Sequence, residues 1–565
     1  MRIQSFALLL LCLFAGQFFT SCDEEAFLEE RPLDFFSPEN SFENFAQFEG
    51  SLYDLYARVR TTHYGGSDIS YAHHYGTDMM KDARLSTVTG RFGDYSSALT
   101  PQAGVVSFHW ERWYKIVSSV NIIIGQLDGS SLTSDEARRI EAEARFFRGL
   151  AYRYLVYLYG DVPLYVDAIE SPRTDFTRAP KAEVLAQVVA DFSFAADNLP
   201  GITEVPDGRV HALVARHYLA ETYISTGQND LAIAEATRVI DDPATGLMTE
   251  RFGSRVSAFP DADVYFDLFR RGNQNRSSGN TEALWVAQME VDVPGGQLVS
   301  NADFGTSGNL FERIHAPAVF TLNDPNGASG MLSWVGDLNG GGRGVSFLQP
   351  TDYFENQIWA DDFDNDIRNS RFNYVRDVIY NNPASDFFGQ SAVEFPGSVI
   401  LGQDWRFYPW LSKVTTPENH PEGLYQEGRA GDFLLNANAG ATYTDQYYVR
   451  LAETYLLRAE AHLAAGNAQA AADDINVVRA RAQASPVSPG AVTIDYILDE
   501  RARELSLEEQ RRITLHRLGK LVERVRLYND HNRDEIQDFQ GLWPIPLREI
   551  EANTTGNLPQ NPGYN

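Results

Sequence analysis

The chain is 565 residues long and 43% hydrophobic, and it carries a net charge of −30 with a pI near 4.7. A surface this acidic repels phosphate backbones and anionic headgroups, which argues against nucleic-acid binding and electrostatic docking to membranes. The length permits a large core and would allow three or four domains, although the organisation along the chain argues for fewer.

Residues 1–21 read as a leader: Arg2 gives a positive start, Phe6 to Phe19 form an apolar stretch, and Thr20-Ser21 precede Cys22. The apolar stretch is marginal for a membrane span. Cysteine directly after small residues suits a lipoprotein pathway that acylates the thiol and cuts before it, so Cys22 is the expected lipidation site. The second cysteine, Cys12, leaves with the leader, and no disulfide, thiolate metal site or cysteine nucleophile remains.

Phe42, Phe45, Phe48, Leu52, Leu55, Tyr56 and Val59 recur at helical spacing over 41–60, and Trp110, Trp113, Tyr114, Val117, Val120 and Ile124 do so over 105–127. The loop between them, 61–104, holds Tyr64, Tyr71, His73, His74, Tyr75, Phe92 and Tyr95, and long loops of this kind are usually functional. Residues 140–166 carry two apolar stripes, which predicts an inner helix that stops at Gly160 and Pro163. Helices follow over 181–199, 210–226 and 230–241. Ala220, Tyr223, Gly227 and Ala232 share the spacing of Ala459, His462, Gly466 and Ala471, as in tetratricopeptide hairpins. Between these hairpins, 252–445 is rich in Gly, Asn, Asp and aromatics and predicts a loop-rich insertion of short strands and turns. Further helices are expected over 494–506 and 507–527.

The run Glu141 to Leu164, with Phe-Arg-Gly, Tyr-x-Tyr-Leu and a closing Tyr-Gly-Asp-Val-Pro-Leu, resembles the signature helix of the SusD/RagB family. Tyr448-Val-Arg-Leu-Ala-Glu, Asn476-Val-Val-Arg-Ala-Arg-Ala, Glu500-Arg-Ala-Arg-Glu-Leu, Trp543-Pro-Ile-Pro and Gln560-Asn-Pro-Gly-Tyr continue the pattern in order. Asp23, Glu24 and Glu25 resemble the acidic export tag of surface lipoproteins in bacteria that carry such proteins. One departure is Arg511-Arg512-Ile-Thr-Leu-His, where the family usually has Arg-Arg-Trp-Asp-Leu.

The resemblance implies a mostly α fold, a SusD-like α-α superhelix, with 22–251 and 446–565 forming one helical core around the insertion. It also implies a lipid-anchored, surface-exposed outer-membrane protein that binds an oligosaccharide or peptide nutrient beside a SusC-like TonB-dependent transporter. No cofactor is expected. The alternatives are a cell-surface glycoside hydrolase and a tetratricopeptide-like assembly scaffold.

Zinc-protease, serine-elbow and phosphate-loop motifs are missing from the sequence. Gly340 to Gly344 reads as a flexible turn, His73-His74 as an exposed pair without a role, and Asp361, Asp362, Asp364 and Asp366 as a solvated turn lacking calcium-loop spacing. Asp366-Ile-Arg368 resembles a structural Asp-x-Arg element of the family. Flat aromatic rings suit sugar faces. Trp110, Trp113, Trp285 and Trp543 sit in core-like patterns, whereas Trp334, Trp359 and Trp405 in the insertion and Tyr71, Tyr75, Phe92 and Tyr95 in the early loop are candidates for a ligand platform. The acidic net charge favours neutral glycans over polyanions there.

Overall fold

The computed structural model describes residues 42–84, 88–293, 296–299, 308–397 and 404–564, so the leader and Cys22 lie outside the described residues. The chain is mostly helical. Its early part supplies α1 (Phe45–His63), α2 (Gly104–Gly125), α3 (Ser134–Tyr159), α4 (Lys181–Asn198), α5 (Ala212–Ser225) and α6 (Asn229–Ile240). Its late part supplies α7 (Leu451–Ala464), α8 (Ala468–Arg481), α9 (Ile494–Leu505), α10 (Arg511–Arg517) and α11 (Leu521–Tyr528). The strands β1 (Met80–Asp82), β2 (Ala283–Ala287), β3 (Leu348–Pro350), β4 (Tyr374–Val375), β5 (Trp410–Leu411) and β6 (Gln446–Arg450) pair antiparallel as β1–β3, β2–β6 and β4–β5.

Helix α3 is the inner helix that its two apolar stripes predict. Thr133 caps it: its hydroxyl accepts from the Glu136 N–H, and the Glu136 carboxylate accepts from the Thr133 N–H at 2.8 Å. Gly160 ends it at φ 76°, where a side chain would be strained. Every residue from Phe146 to Tyr159 is buried. Two of them are arginines. Arg148 donates from Nε and Nη2 to Asp191 of α4 at 2.9 and 2.8 Å, and Arg153 donates twice to Glu221 of α5 at 2.6 Å. Paired forks of this kind offset the desolvation of both ions and fix α3 between its neighbours.

From α3 to α8 each helix packs on the next, so elements from the two ends of the chain continue one tetratricopeptide-like layer. The repeated spacing marks its hairpins, α5–α6 and α7–α8. Gly227 and Gly466 turn them at φ 74° and 81°, and buried Ala220, Ala232, Ala459 and Ala471 let the helices close. The expected helix over 507–527 is instead two, because Leu507 and Gly519 both adopt left-handed backbone at φ 62° and 65°.

Among its described residues, 252–445 holds the short strands β2 to β5 and turns that its composition predicts, together with short helices at Val264–Leu268, Phe311–His315 and Asp352–Glu355. The insertion feeds the main core: Trp285 of β2 meets Phe146 edge-on at 5.4 Å and Tyr448 at 4.1 Å. Three readings of local segments are corrected. Gly340, Gly341, Gly342 and Gly344 are buried, and a Cβ on Gly344 would stand 2.3 Å from the Ala316 carbonyl oxygen, so the turn is packed. Asp362 and Asp366 are buried beneath Arg479 and Arg368. His73 and His74 are buried too, and burial lowers both below the ordinary histidine range, His74 to about 3.

Candidate functional site

The early loop does not present its aromatics to solvent. It is folded around guanidiniums from the far end of the chain. Arg512 of α10 donates to the carbonyl oxygens of Ala72 and Tyr75 and to the Tyr95 hydroxyl, at 3.1, 2.5 and 3.0 Å. Arg511 and Arg524 converge on buried Asp78; burial raises that carboxyl, yet the two charges outweigh it and hold it at about 2.

Tyr71, Tyr75, Phe92 and Tyr95 consequently form an internal shell, each 0% exposed. Phe92 lies beneath Arg512, Tyr95 also donates to the Gly76 carbonyl, and the Tyr71 hydroxyl accepts from the Leu310 N–H at 2.6 Å. In the insertion, Trp359 is 1% exposed and donates its indole N–H to the Phe354 carbonyl at 2.8 Å. These five rings offer no face to a ligand in this structure, which corrects their place in the platform. For Phe92 and Tyr95 the reason is the buried Arg512 guanidinium, which composition does not reveal, whereas Tyr71 packs against Phe311 and Trp359 against Phe354 and Tyr374. Trp110, Trp113, Trp285 and Trp543 are in the core, as their patterns indicate.

Trp334 and Trp405 remain half-buried. Trp334 sits at φ 55°, a strained backbone for a bulky side chain, with the Arg343 guanidinium 4.7 Å from its ring. Trp405 belongs to a ladder. Arg91 lies 3.5 Å from the ring centroid of Phe347, Arg84 lies 4.9 Å from the same ring and 4.5 Å from Trp405, and Arg406 lies 4.7 Å from Trp405. The early loop thus contributes Arg84 and Arg91, and the insertion contributes Phe347, Trp405 and Arg406. β1–β3 pairing places the two segments side by side: the Ala83 N–H donates to the Phe347 carbonyl at 2.9 Å, and Arg84 Nε donates to the Ser346 carbonyl at 3.3 Å.

The ladder is partly charge-balanced. Asp68 accepts from Arg91 Nη2 at 2.9 Å, and Asp82 accepts from the backbone N–H of Arg84 at 3.1 Å. Among the described residues, neither Arg84 nor Arg406 forms an ion pair with a carboxylate, and Arg406 Nε is buried without a hydrogen-bond partner. Elsewhere, a cleft of about 540 Å3 opens beside α1, lined by Tyr53, Tyr56, Arg60, Arg209, Gln288 and Tyr448. Its Arg209 is fully engaged, by Glu49 at 2.7 Å and Glu143 at 3.0 Å. Sequence reading passed over Arg84, Arg91, Phe347 and Arg406; the tripeptide Trp405-Arg-Phe was the signal available for one of them.

Comparison with known proteins then identifies the lineage. A profile of the SusD family matches residues 401–564, and one described as "Starch-binding associating with outer membrane" matches residues 27–224. The chain belongs to the SusD/RagB family. This SusD/RagB chain is 24% identical to SusD-like protein P25 of Formosa agariphila over 98% of its own length and 97% of that protein. It is 25% identical to starch-binding protein SusD of Bacteroides thetaiotaomicron over 79% of its own length and 76% of that protein. Among solved structures, a laminarin binding SusD-like protein matches with a TM-score of 0.65 at 20% identity, covering 93% of this chain and 100% of that one. The α-helical architecture is therefore the SusD/RagB fold, as the motifs imply.

Proposed function

We propose that this protein is a non-enzymatic, lipid-anchored glycan-binding protein of the outer-membrane surface, working beside a SusC-type TonB-dependent transporter. The observation that carries the reading is the half-exposed Arg–aromatic ladder around Trp405, standing where two polar loop regions meet on a SusD/RagB scaffold. Aromatic rings and fixed donors at one place suit an amphipathic, hydroxyl-rich ligand. The names of related proteins, which mention starch and laminarin, support a saccharide over a peptide. The Thr20-Ser21-Cys22 sequence supports the anchor.

Affinity electrophoresis of the mature protein in gels containing laminarin, soluble starch, alginate or carrageenan tests the binding role. Retardation by at least one polysaccharide is expected, and retardation by none of them refutes the reading. Steady release of shorter products during incubation would make the protein an enzyme instead. Cys22→Ser should abolish partition with membranes, and the anchored form should co-purify with a TonB-dependent transporter.

A further inference from the structure

Among the described residues, the Trp405 ladder gathers more cations than carboxylates, in a chain whose net charge is −30. Arg84, Arg91 and Arg406 gather there. Among the described residues, two carboxylates stand against them: Asp68 accepts from the Arg91 guanidinium and Asp82 accepts from the Arg84 backbone N–H. Burial, together with the charges of Arg91 and Arg406, presses Arg84 below the ordinary arginine range, with Asp82 and Tyr408 opposing in part. Arg406 also carries a buried, unpartnered Nε.

The rings explain how this clustering is held. Phe347 lies against Arg91 and Arg84, and Trp405 lies against Arg84 and Arg406, so the aromatic surfaces serve the arginines as shelves. Cation–π contact restrains each guanidinium plane. Arg84 donates Nε and Nη2 to the Ser346 and Val345 carbonyls and Arg91 donates Nη2 to Asp68, so the N–H groups these arginines have left over, with those of Arg406, are the donors that suit the oxygens of a carboxylate or sulfate. A neutral sugar would bring no anionic group to Arg84 and Arg406.

We infer that the Trp405 junction takes an anionic saccharide, with a carboxylate or sulfate group of the sugar bound by Arg84 and Arg406. This rests on the glycan-binding reading and specifies its ligand class. The positive field is local, so the overall acidity that disfavours polyanions from a distance does not decide the outcome at the site. Beyond a Debye length, about 8 Å at physiological ionic strength, the remaining negative charges are largely screened.

The test uses the mature protein against laminarin as a neutral probe, alginate as a carboxylated one and carrageenan as a sulfated one. Binding to alginate or carrageenan is expected, and which of the two separates a uronate from a sulfate ester. The affinity should fall when sodium chloride is raised to about 0.5 M. Arg406→Gln should weaken it roughly ten-fold, the scale of one hydrogen bond to a charged group, at unchanged melting temperature. Arg406→Lys should restore part of the loss, and Arg84→Gln provides a second, independent reading. Binding of laminarin alone would overturn the inference and leave the glycan-binding role standing. Binding of an anionic probe that ignores salt and both substitutions would overturn it as well. Failure to bind any polysaccharide would remove the glycan-binding role and this inference together.

Discussion

The guanidinium carbon of Arg512 lies 3.7 Å from the ring centroid of Phe92, although 420 positions separate the two residues in the chain. This contact closes the early loop from behind. Arg512 then donates to two loop carbonyls and to Tyr95, so one side chain satisfies groups that the loop cannot satisfy itself.

Arg512→Ala should therefore cost about 3–5 kcal/mol, because it strands buried acceptors and empties the space under Phe92. Urea unfolding measures the loss, and limited proteolysis should show new cutting within 61–104. A loss below about 1 kcal/mol would mean that the loop closes by other means.

The tryptophans of the insertion should divide by environment. Trp359→Ala removes a ring packed against Phe354 and Tyr374 and should destabilise by about 3–5 kcal/mol. Trp405→Ala removes a half-exposed shelf and should weaken polysaccharide retardation while the melting temperature stays within a few degrees. Equal effects of the two substitutions on stability would contradict the assigned positions.

Which parts of this were readable from the sequence follows from the range of the interactions. Helix α3 and the hairpins α5–α6 and α7–α8 declare themselves locally, through periodicity, alanines and turn glycines such as Gly160, Gly227 and Gly466. Tyr95 does not. A tyrosine in a polar, Gly-containing loop reads the same whether it faces water or an arginine 417 residues away. The ladder is hidden for the same reason: Arg84 reaches its Ser346 partner across 262 residues, and no spacing rule connects them. Aromatic content singled out the two regions that meet at the Trp405 ladder but could not tell which rings the fold encloses.

Acid should unfold this protein earlier than its carboxylates alone would. Burial lowers His63, His211 and His315 to about 4 and His74, His109, His217 and His516 to about 3, against an ordinary value of 6.5. These groups bind protons in the unfolded chain first, so they favour unfolding as pH falls below 6.5. Each contributes about 1.4 kcal/mol per pH unit between its unfolded and folded values. Calorimetry should show a melting temperature that is level above about pH 7.5 and drops steeply by about pH 5. A flat profile across that interval would mean that the histidines already reach solvent.

A lattice of buried ion pairs ties the insertion to the helical layer. Arg368 donates to Asp366, Glu500 and Glu504; Arg450 pairs with Glu282, Glu504 and Glu508; Arg481 joins Glu282 to Glu504. Arg479 links Asp362 to Glu500, and Lys413 pairs with Glu508. Glu282, Asp362, Asp366, Arg368 and Lys413 come from the insertion; the others come from β6, α8, α9 and the residues just after α9. At Glu500 burial raises the carboxyl, but Arg368, Arg503 and Arg479 outweigh it and hold it at about 2. Arg481, Arg450 and Arg368 likewise hold Glu504 below the ordinary range against its burial. Removing one ion from such a lattice leaves its partners buried and uncompensated, a cost of about 3–5 kcal/mol. Glu504→Gln keeps the shape and deletes the charge, so it should show that loss in urea, with far-UV circular dichroism and tryptophan fluorescence falling together. Two separated transitions, one for the tryptophan-rich insertion and one for the helices, would show that the lattice does not couple them.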